Sequence, residues 1–299
     1  MSFVQVDKFC KSFRFALYFF SAVKYNPIIK YPTGERKVTI MKKMISMLLV
    51  LVLVLGCFVG CGAKDMTDME TVQKAGKIVI GITDYAPMDY KDENGNWTGF
   101  DAEFAMLFAK ELGVECEFYE IADWGKKFME LDTKQIDAVW NGMTITEEAT
   151  LNSSVSDPYV INAQVVVMKA DIVGDYDYME SLSGLTIAVE SSSAGESAAS
   201  GIPGAKVIPL QTQSAALLEV KAGTVDACVI DITMAYAMTG EGTNYADLAP
   251  GISLTEELYG VSFRKNSDLA PKFNEFMAKL KQDGTLQALA DKYGLTLAD

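Results

Sequence analysis

Two apolar runs in the sequence end on a carboxylate: LTIAVE closes on Glu190 and VDACVID closes on Asp231. An acid at the end of a buried strand needs a partner, because burial strips its hydration without compensation. A ligand ammonium would supply one for Asp231; a hydrogen-bonded cap within the protein is the alternative. Tyr85 lies in the polar loop TDYAPMDYKDENGNWTG, and Trp124, between Asp123 and Gly125, has a setting that suits a ligand surface. Aromatic faces attract cations by roughly 0.5–2 kcal/mol each. Gathered around one cleft, Asp84, Tyr85, Trp124, Glu190 and Asp231 would therefore make a field that favours positive charge.

The stretch GMTITEEATLNSSVSDPY (142–159) is rich in hydroxyls and carries acids but no cation. Thr146 with Glu147 and Glu148 reads as an N-cap and an acidic first turn that complement a helix dipole. Thr144 is left available for a ligand. Ser191-Ser192-Ser193 reads either as a cap or as a helix start whose free amides seat an anion. Trp140, inside an apolar run, reads as core. Lys126 and Lys127 read as a solvated helix face, with one of them reaching a ligand carboxylate as the alternative.

What is missing narrows the chemistry. The chain has no histidine, hence neither the commonest general base nor the commonest zinc ligand. Its five cysteines (10, 57, 61, 116 and 228) show no CxxC spacing, and Cys116 and Cys228 sit in strand-like runs as buried free thiols. No catalytic residue, metal site or cofactor is expected. After Cys61 there are 38 acids against 17 bases, a balance that repels nucleic-acid phosphates.

The elements that must position these residues follow an α/β order. KIVIGI (77–82) is a buried strand and ENGNW a tight turn. FDAEFAMLFAKELG is a helix that Asp101 is placed to cap and Gly113 to stop. VECEFYEI is a strand, DWGKKFMEL a short helix and IDAVWNG a strand. LTIAVE, AKVIPL and VDACVID repeat the plan with the helix TQSAALLEVKAG between the last two. The order argues for parallel sheets, and open parallel sheets bind ligands beyond their strands' C-terminal ends. QVVVMK (164–169) and YGVSFRK (259–265) are the candidate crossing strands. The last segment is two amphipathic helices broken at Asp283-Gly284.

The beginning of the chain reads as an address. Met41-Lys42-Lys43, a short apolar run and then Cys61 have the pattern of a secretory signal. Gly60-Cys61-Gly62 is similar to a bacterial lipoprotein processing site, which makes Cys61 the expected lipidated residue, with Cys57 as the alternative. A single membrane anchor is the alternative to a cleaved signal. Residues 1–40 precede a complete signal and read as an upstream start called too early. The signal then covers 41–60 and a tether 61–75, and the product is exported and held on the outer face of the bacterial cytoplasmic membrane.

TDYAPMDY…GNWTGFDAEFA, IDAVWNGMTIT, SDPYV, VDACVID and DGTLQALADKYG, in that order, resemble the family 3 extracellular solute-binding proteins of ABC importers, of the polar amino-acid type. The resemblance implies a two-lobe α/β fold of the type II periplasmic-binding-protein kind, with two crossing strands as hinge and a ligand cleft between lobes. Lobe 1 would be 76–167 with 260–299, and lobe 2 would be 168–259. It also implies a monomer that delivers a small molecule to a permease with a cytoplasmic ATPase. By resemblance Tyr85 stacks on the ligand, with Asp84 beside it, and Trp124 covers it. Asn141, Gly142 and Thr144 meet its amino group, Ser193 and Ala194 meet its carboxylate, and Asp231 pairs with the amino group. The pattern fails at Ala149, where the family has an arginine that clamps the α-carboxylate; Arg264, the only arginine after Cys61, belongs to a structural motif. The ligand is therefore either an amino acid or a cationic amine without a carboxylate. A cyclohexadienyl dehydratase-like enzyme and a sensory binding module are the remaining alternatives.

Overall fold

Described here is a computed structural model covering residues 66–299; the calls on residues 1–60 and on Cys61 fall outside them. Helix α1 (Asp68–Ala75) opens with a reciprocal cap, in which Thr67 and Glu70 each accept the other's backbone N–H, and it stops at Gly76 in the left-handed region. These residues were expected in the tether. They dock instead, because Val72 is buried and Asp68 pairs with Arg264.

Strand β1 (Lys77–Ile82) leads to a small hairpin, β2 (Tyr90–Lys91) and β3 (Trp97–Thr98), then to α2 (Phe100–Leu112) and β4 (Glu115–Glu120). A 3-10 turn at Trp124–Lys126 runs into α3 (Lys127–Asp132), followed by β5 (Ala138–Val139), α4 (Glu147–Asn152) and β6 (Ser153–Val155). Strands β1, β4 and β5 pair in parallel. Helix α2 stops at Gly113, in the left-handed region, but Asp101 does not cap it. Asp101 lies one residue inside the helix and is fully buried, with a different task described below.

The chain then crosses over through β7 (Val160–Asn162) and enters β8 (Gln164–Lys169), β9 (Thr186–Glu190), α5 (Ala194–Ser200), β10 (Lys206–Leu210), α6 (Gln213–Ala222) and β11 (Ala227–Asp231). Helix α7 (Ile232–Met238) and β12 (Leu248–Ser253) complete this lobe, and β13 (Glu257–Tyr259) crosses back to β14 (Ser262–Arg264), α8 (Leu269–Gln282) and α9 (Thr285–Tyr293). The two sheets have the orders β4-β1-β5-β14-β6 and β10-β9-β11-β8-β12. The crossing ribbon is the antiparallel pair β7/β13. Gln164–Lys169, read from sequence as a crossing strand, instead lies wholly within the second sheet, antiparallel to β11 and β12. Its run of buried residues suits an interior strand covered on both faces.

The first lobe's core is aromatic. Phe104 and Phe108 of α2 meet Phe273 and Phe276 of α8, and Trp140 packs edge-on to Phe104 at 5.0 Å and to Phe273 at 4.8 Å. Trp140 is core, and the chain leaves β5 toward the cleft from a fixed base. Cys228 is buried on β11 and Cys116 half-buried on β4, both as free thiols. Burial pushes the Cys116 thiol up to about 12, which keeps it unreactive. Among the described residues no helix is long and apolar enough to cross a membrane.

Arg264 closes the first lobe. Its guanidinium donates to Asp68 at 3.0 Å, to Asp137 at 2.7 Å and to the carbonyls of Leu131 and Ile136 at 3.2 and 2.5 Å. One side chain thereby ties α1, the end of α3 and the start of β5 to β14. Breaking a buried ion pair from one side costs about 3–5 kcal/mol. Arg264→Ala should lower the unfolding free energy by that order in urea titration while leaving ligand affinity within about threefold; an unchanged midpoint would contradict this structural role.

Candidate ligand cleft

Both carboxylates singled out by the sequence reach one cavity of about 550 Å³ between the lobes. From the first lobe come Trp124, Lys127, Asn141, Gly142, Thr144 and Ala149; from the second come Gln164, Glu190, Ser193, Ala194, Gln213 and Asp231. Eight of the ten ligand positions expected from sequence therefore line one wall or the other, and Asp84 and Tyr85 do not. The strands that carry the acids, β9 and β11, pair in parallel and so deliver Glu190 and Asp231 to the same edge of the sheet.

Asp231 is held by side-chain amides. It accepts from Asn162, from Gln213 and from Gln164 Nε2 at 2.7 Å, while its own backbone N–H donates to Gln213 Oε1 at 2.9 Å. The amide from Gln164 is supplied by register, since Gln164 lies opposite Asp231 in the β8/β11 pair. Burial, then the charge of Glu257, push the Asp231 carboxyl up to about 6, against the amide hydrogen bonds that favour its ionised form. Glu257 itself accepts from Thr144, Asn162, Gln164 and Thr255. Glu190 is pushed up further, to about 8, by burial first and the negative charge of Asp231 second, with Lys127 acting in the opposite sense. Two neighbouring buried acids thus resist simultaneous ionisation in the absence of a cation.

The loop after β5 is pinned from behind. Asn141 exchanges hydrogen bonds with Thr83 at 2.7 Å each way, so its side chain is committed to the protein. Gly142 has φ +53°, and its N–H donates to Asp101 Oδ2 at 2.6 Å. A Cβ at Gly142 would fall 2.6 Å from the Tyr85 ring, so glycine alone lets the loop pass over that ring. Asp101 also accepts from Tyr159 at 2.8 Å and has its carboxyl pushed up to about 7 by burial. It is a loop-positioning residue that the sequence reading mistook for a cap; a carboxylate in the first turn gives no local sign that it points inward.

Tyr85 is buried behind Gly142. Its hydroxyl shares hydrogen bonds of 2.6 Å with Thr233 and with Tyr259, so the ring is not presented to the cavity. The hydroxyls of Tyr85, Thr233 and Tyr259 join the first lobe, the second lobe and the crossing ribbon in one cluster. Asp84 is exposed, beside the charges of Glu120 and Lys91 rather than the cleft. The lobes also meet at Gly125, where a Cβ would come 2.9 Å from Ser192 Oγ, and at Gln211, which donates to the Ala122 carbonyl at 2.9 Å. These contacts describe a closed arrangement.

The start of α5 is already engaged. Ser193 caps Glu196 N–H at 3.1 Å and donates to the Glu190 carbonyl at 2.7 Å, and the Glu196 carboxylate takes the Ser192 N–H at 2.6 Å. Thr146 caps α4 through Ala149 N–H at 3.1 Å. The two lysines separate. Lys126 is exposed and pairs with Asp123 at 2.9 Å, whereas Lys127 is only 6% exposed and lines the cavity, contrary to the solvated-face reading. The signal was available: Lys127 shares a helical face with Leu131, four residues on and fully buried.

The raised carboxyls set the pH dependence of stability. Glu190 at about 8, Asp101 at about 7 and Asp231 at about 6 all lie above their ordinary values of 4.5, 3.8 and 3.8. Between pH 4 and 8 the folded chain therefore binds more protons than the unfolded chain, and stability is lost as pH rises through the folded values. Ligand-free thermal melts should give a higher Tm at pH 5 than at pH 8, and Glu190→Gln should flatten the part above pH 6. A Tm that climbs with pH over this range would contradict the assignment.

The geometry fits what comparison with known proteins finds. The family model described as bacterial extracellular solute-binding proteins, family 3, matches residues 78–296. The L-cystine-binding protein TcyJ of Escherichia coli (strain K12) is 29% identical over 240 residues, 78% of this chain and 90% of that protein. The arginine-binding extracellular protein ArtP of Bacillus subtilis (strain 168) is 29% identical over 258 residues, 85% of this chain and 98% of that protein. The crystal structure of the ancestral amino acid-binding protein AncCDT-1, a precursor of cyclohexadienyl dehydratase, matches with a TM-score of 0.70 at 32% identity, covering 75% of this chain and 98% of that one. The fold is that of the type II periplasmic binding proteins, and the chain belongs to the bacterial extracellular solute-binding proteins of family 3.

Proposed function

We propose that this chain is the capture component of an ABC importer and that its ligand is an amino acid with a cationic side chain. The observation that carries this reading is the pair of buried acids, Glu190 and Asp231, on one cavity whose wall bears five carboxylates and one lysine. One acid serves the α-ammonium common to all amino acids; the second calls for another positive group on the ligand. An arginine-binding relative that is 98% covered supports the class. Cystine, the ligand named for another relative, also has two ammonium groups but adds two carboxylates, for which this wall offers a single cationic side chain.

In this reading the chain is exported, carries lipid on Cys61, acts as a monomer on the outer face of the cytoplasmic membrane and docks on a permease with its ATPase. A dehydratase-like activity is the second reading, favoured by Glu190, a buried acid that keeps its proton at neutral pH. Turnover of prephenate or arogenate in an absorbance assay would establish it.

Calorimetry against a panel of amino acids and amines tests the ligand class. L-Arginine, L-lysine or L-ornithine should bind at micromolar affinity or tighter, and neutral amino acids at least tenfold more weakly. Asp231→Asn should weaken the tightest ligand by about ten- to a hundredfold, the loss expected when a charge-assisted anchor worth roughly 1.5–3 kcal/mol is removed. A preference for neutral amino acids would remove the cationic-ligand reading, and unchanged affinity in Asp231→Asn would remove Asp231 from the site.

A further inference from the structure

We infer that Lys127 is the residue that holds the ligand's carboxylate, in the role left open by the alanine at position 149. The inference rests on the amino-acid reading above and adds which group provides discrimination for the carboxylate end.

Three observations lead to it. Among the described residues Lys127 is the only cationic side chain on the cavity wall, and it is more than nine-tenths buried. Its ammonium donates to the Trp124 carbonyl at 3.3 Å and lies over the Trp124 ring at 4.8 Å and the Phe128 ring at 5.0 Å. Among the described residues no carboxylate lies within ion-pair distance of it. A buried ammonium with one carbonyl and two ring faces has donors left over, and a lysine that deep is costly without an anion.

The second strand of the argument is position. Ala149 is buried on the same cavity wall, in the apolar cluster against which Trp124 and Phe128 pack. The aromatic pair therefore joins the methyl group at 149 to the ammonium at 127. Lys127 on α3 and Ala149 on α4 thus border the same cavity and share one aromatic cluster. The alternative anion seat, the start of α5, is weakened by its own Glu196, whose carboxylate takes the Ser192 N–H. Lysine gives a point charge rather than a planar fork, so it would tolerate a wider range of carboxylate orientations than a bidentate arginine.

The test compares amino acids with their decarboxylated counterparts on the full-length chain in detergent solution: L-arginine against agmatine, and L-lysine against cadaverine. The wild type should prefer each amino acid. Lys127→Met should weaken L-arginine and L-lysine at least tenfold while agmatine and cadaverine stay within about twofold, which also shows that the variant is folded. Lys127→Arg should retain the preference, and Lys127→Met combined with Ala149→Arg should restore it. Equal losses for acids and amines in Lys127→Met would assign the lysine to packing and overturn the inference, as would a wild type that binds agmatine as tightly as L-arginine. If the wild type instead selects a neutral amino acid, the cationic-ligand reading falls, while the ratio between that amino acid and its decarboxylated amine still decides the role of Lys127.

Discussion

Two carboxylates that cannot comfortably ionise together dominate the cleft. Glu190 and Asp231 end adjacent parallel strands and are both nearly inaccessible to solvent; burial raises both carboxyls, and the charge of Asp231 raises Glu190 further. Each is stable as a carboxylic acid or beside a cation, but not as one of two bare charges in a low-dielectric space. The remainder of the cleft can be understood as support for that pair. Amides from Asn162, Gln164 and Gln213 fix Asp231, and Lys127 is the one positive side chain on the wall among the described residues.

The scaffold makes this arrangement possible by geometry rather than by local sequence. Parallel pairing brings strand ends to a common edge, so residues 41 positions apart share one cavity. The antiparallel β8 adds Gln164 by register, from the chain that has just left the crossing ribbon. On the opposite wall a buried aspartate holds the Gly142 amide, and the Tyr85, Thr233 and Tyr259 hydroxyls join both lobes to the ribbon. A hydroxyl cluster across a hinge opens at the cost of its hydrogen bonds, which water replaces only when the lobes part.

Most of the wall was legible through the family resemblance, while strand order and the parallel part of each mixed sheet were legible because they rest on patterns with a fixed period; the antiparallel pairing of β8 and β14 was not foreseen. Apolar runs, Gly113 and Gly284 as helix ends, and acids at the ends of LTIAVE and VDACVID all fall in this class. What was not legible depends on pairing across long distances. Gln164 looks like the start of an apolar crossing strand until its register opposite Asp231 is known. Asp101 looks like a cap until the loop after β5 is seen to fold back onto it. Tyr85 looks like a stacking aromatic, but a glycine in front and two hydroxyls behind draw its ring into the core. Lys127 was misread for a different reason, since its pairing with Leu131 along the helix was visible and the adjacent Lys126 obscured it.

The central claim is that the ligand's positive charge relieves the strained acid pair, and proton exchange on binding tests it most directly. In the closed cleft without a cation, burial and then the charge of Asp231 push the Glu190 carboxyl up to about 8, which favours its protonated form at pH 7. A cation beside it favours the ionised form, so binding should release close to one proton per ligand, roughly the fraction of Glu190 that is protonated at that pH. Titration calorimetry with L-arginine in buffers of different ionisation enthalpy reads this number directly, and Glu190→Gln should abolish the release. Binding with no proton released, or with protons taken up, would contradict the account.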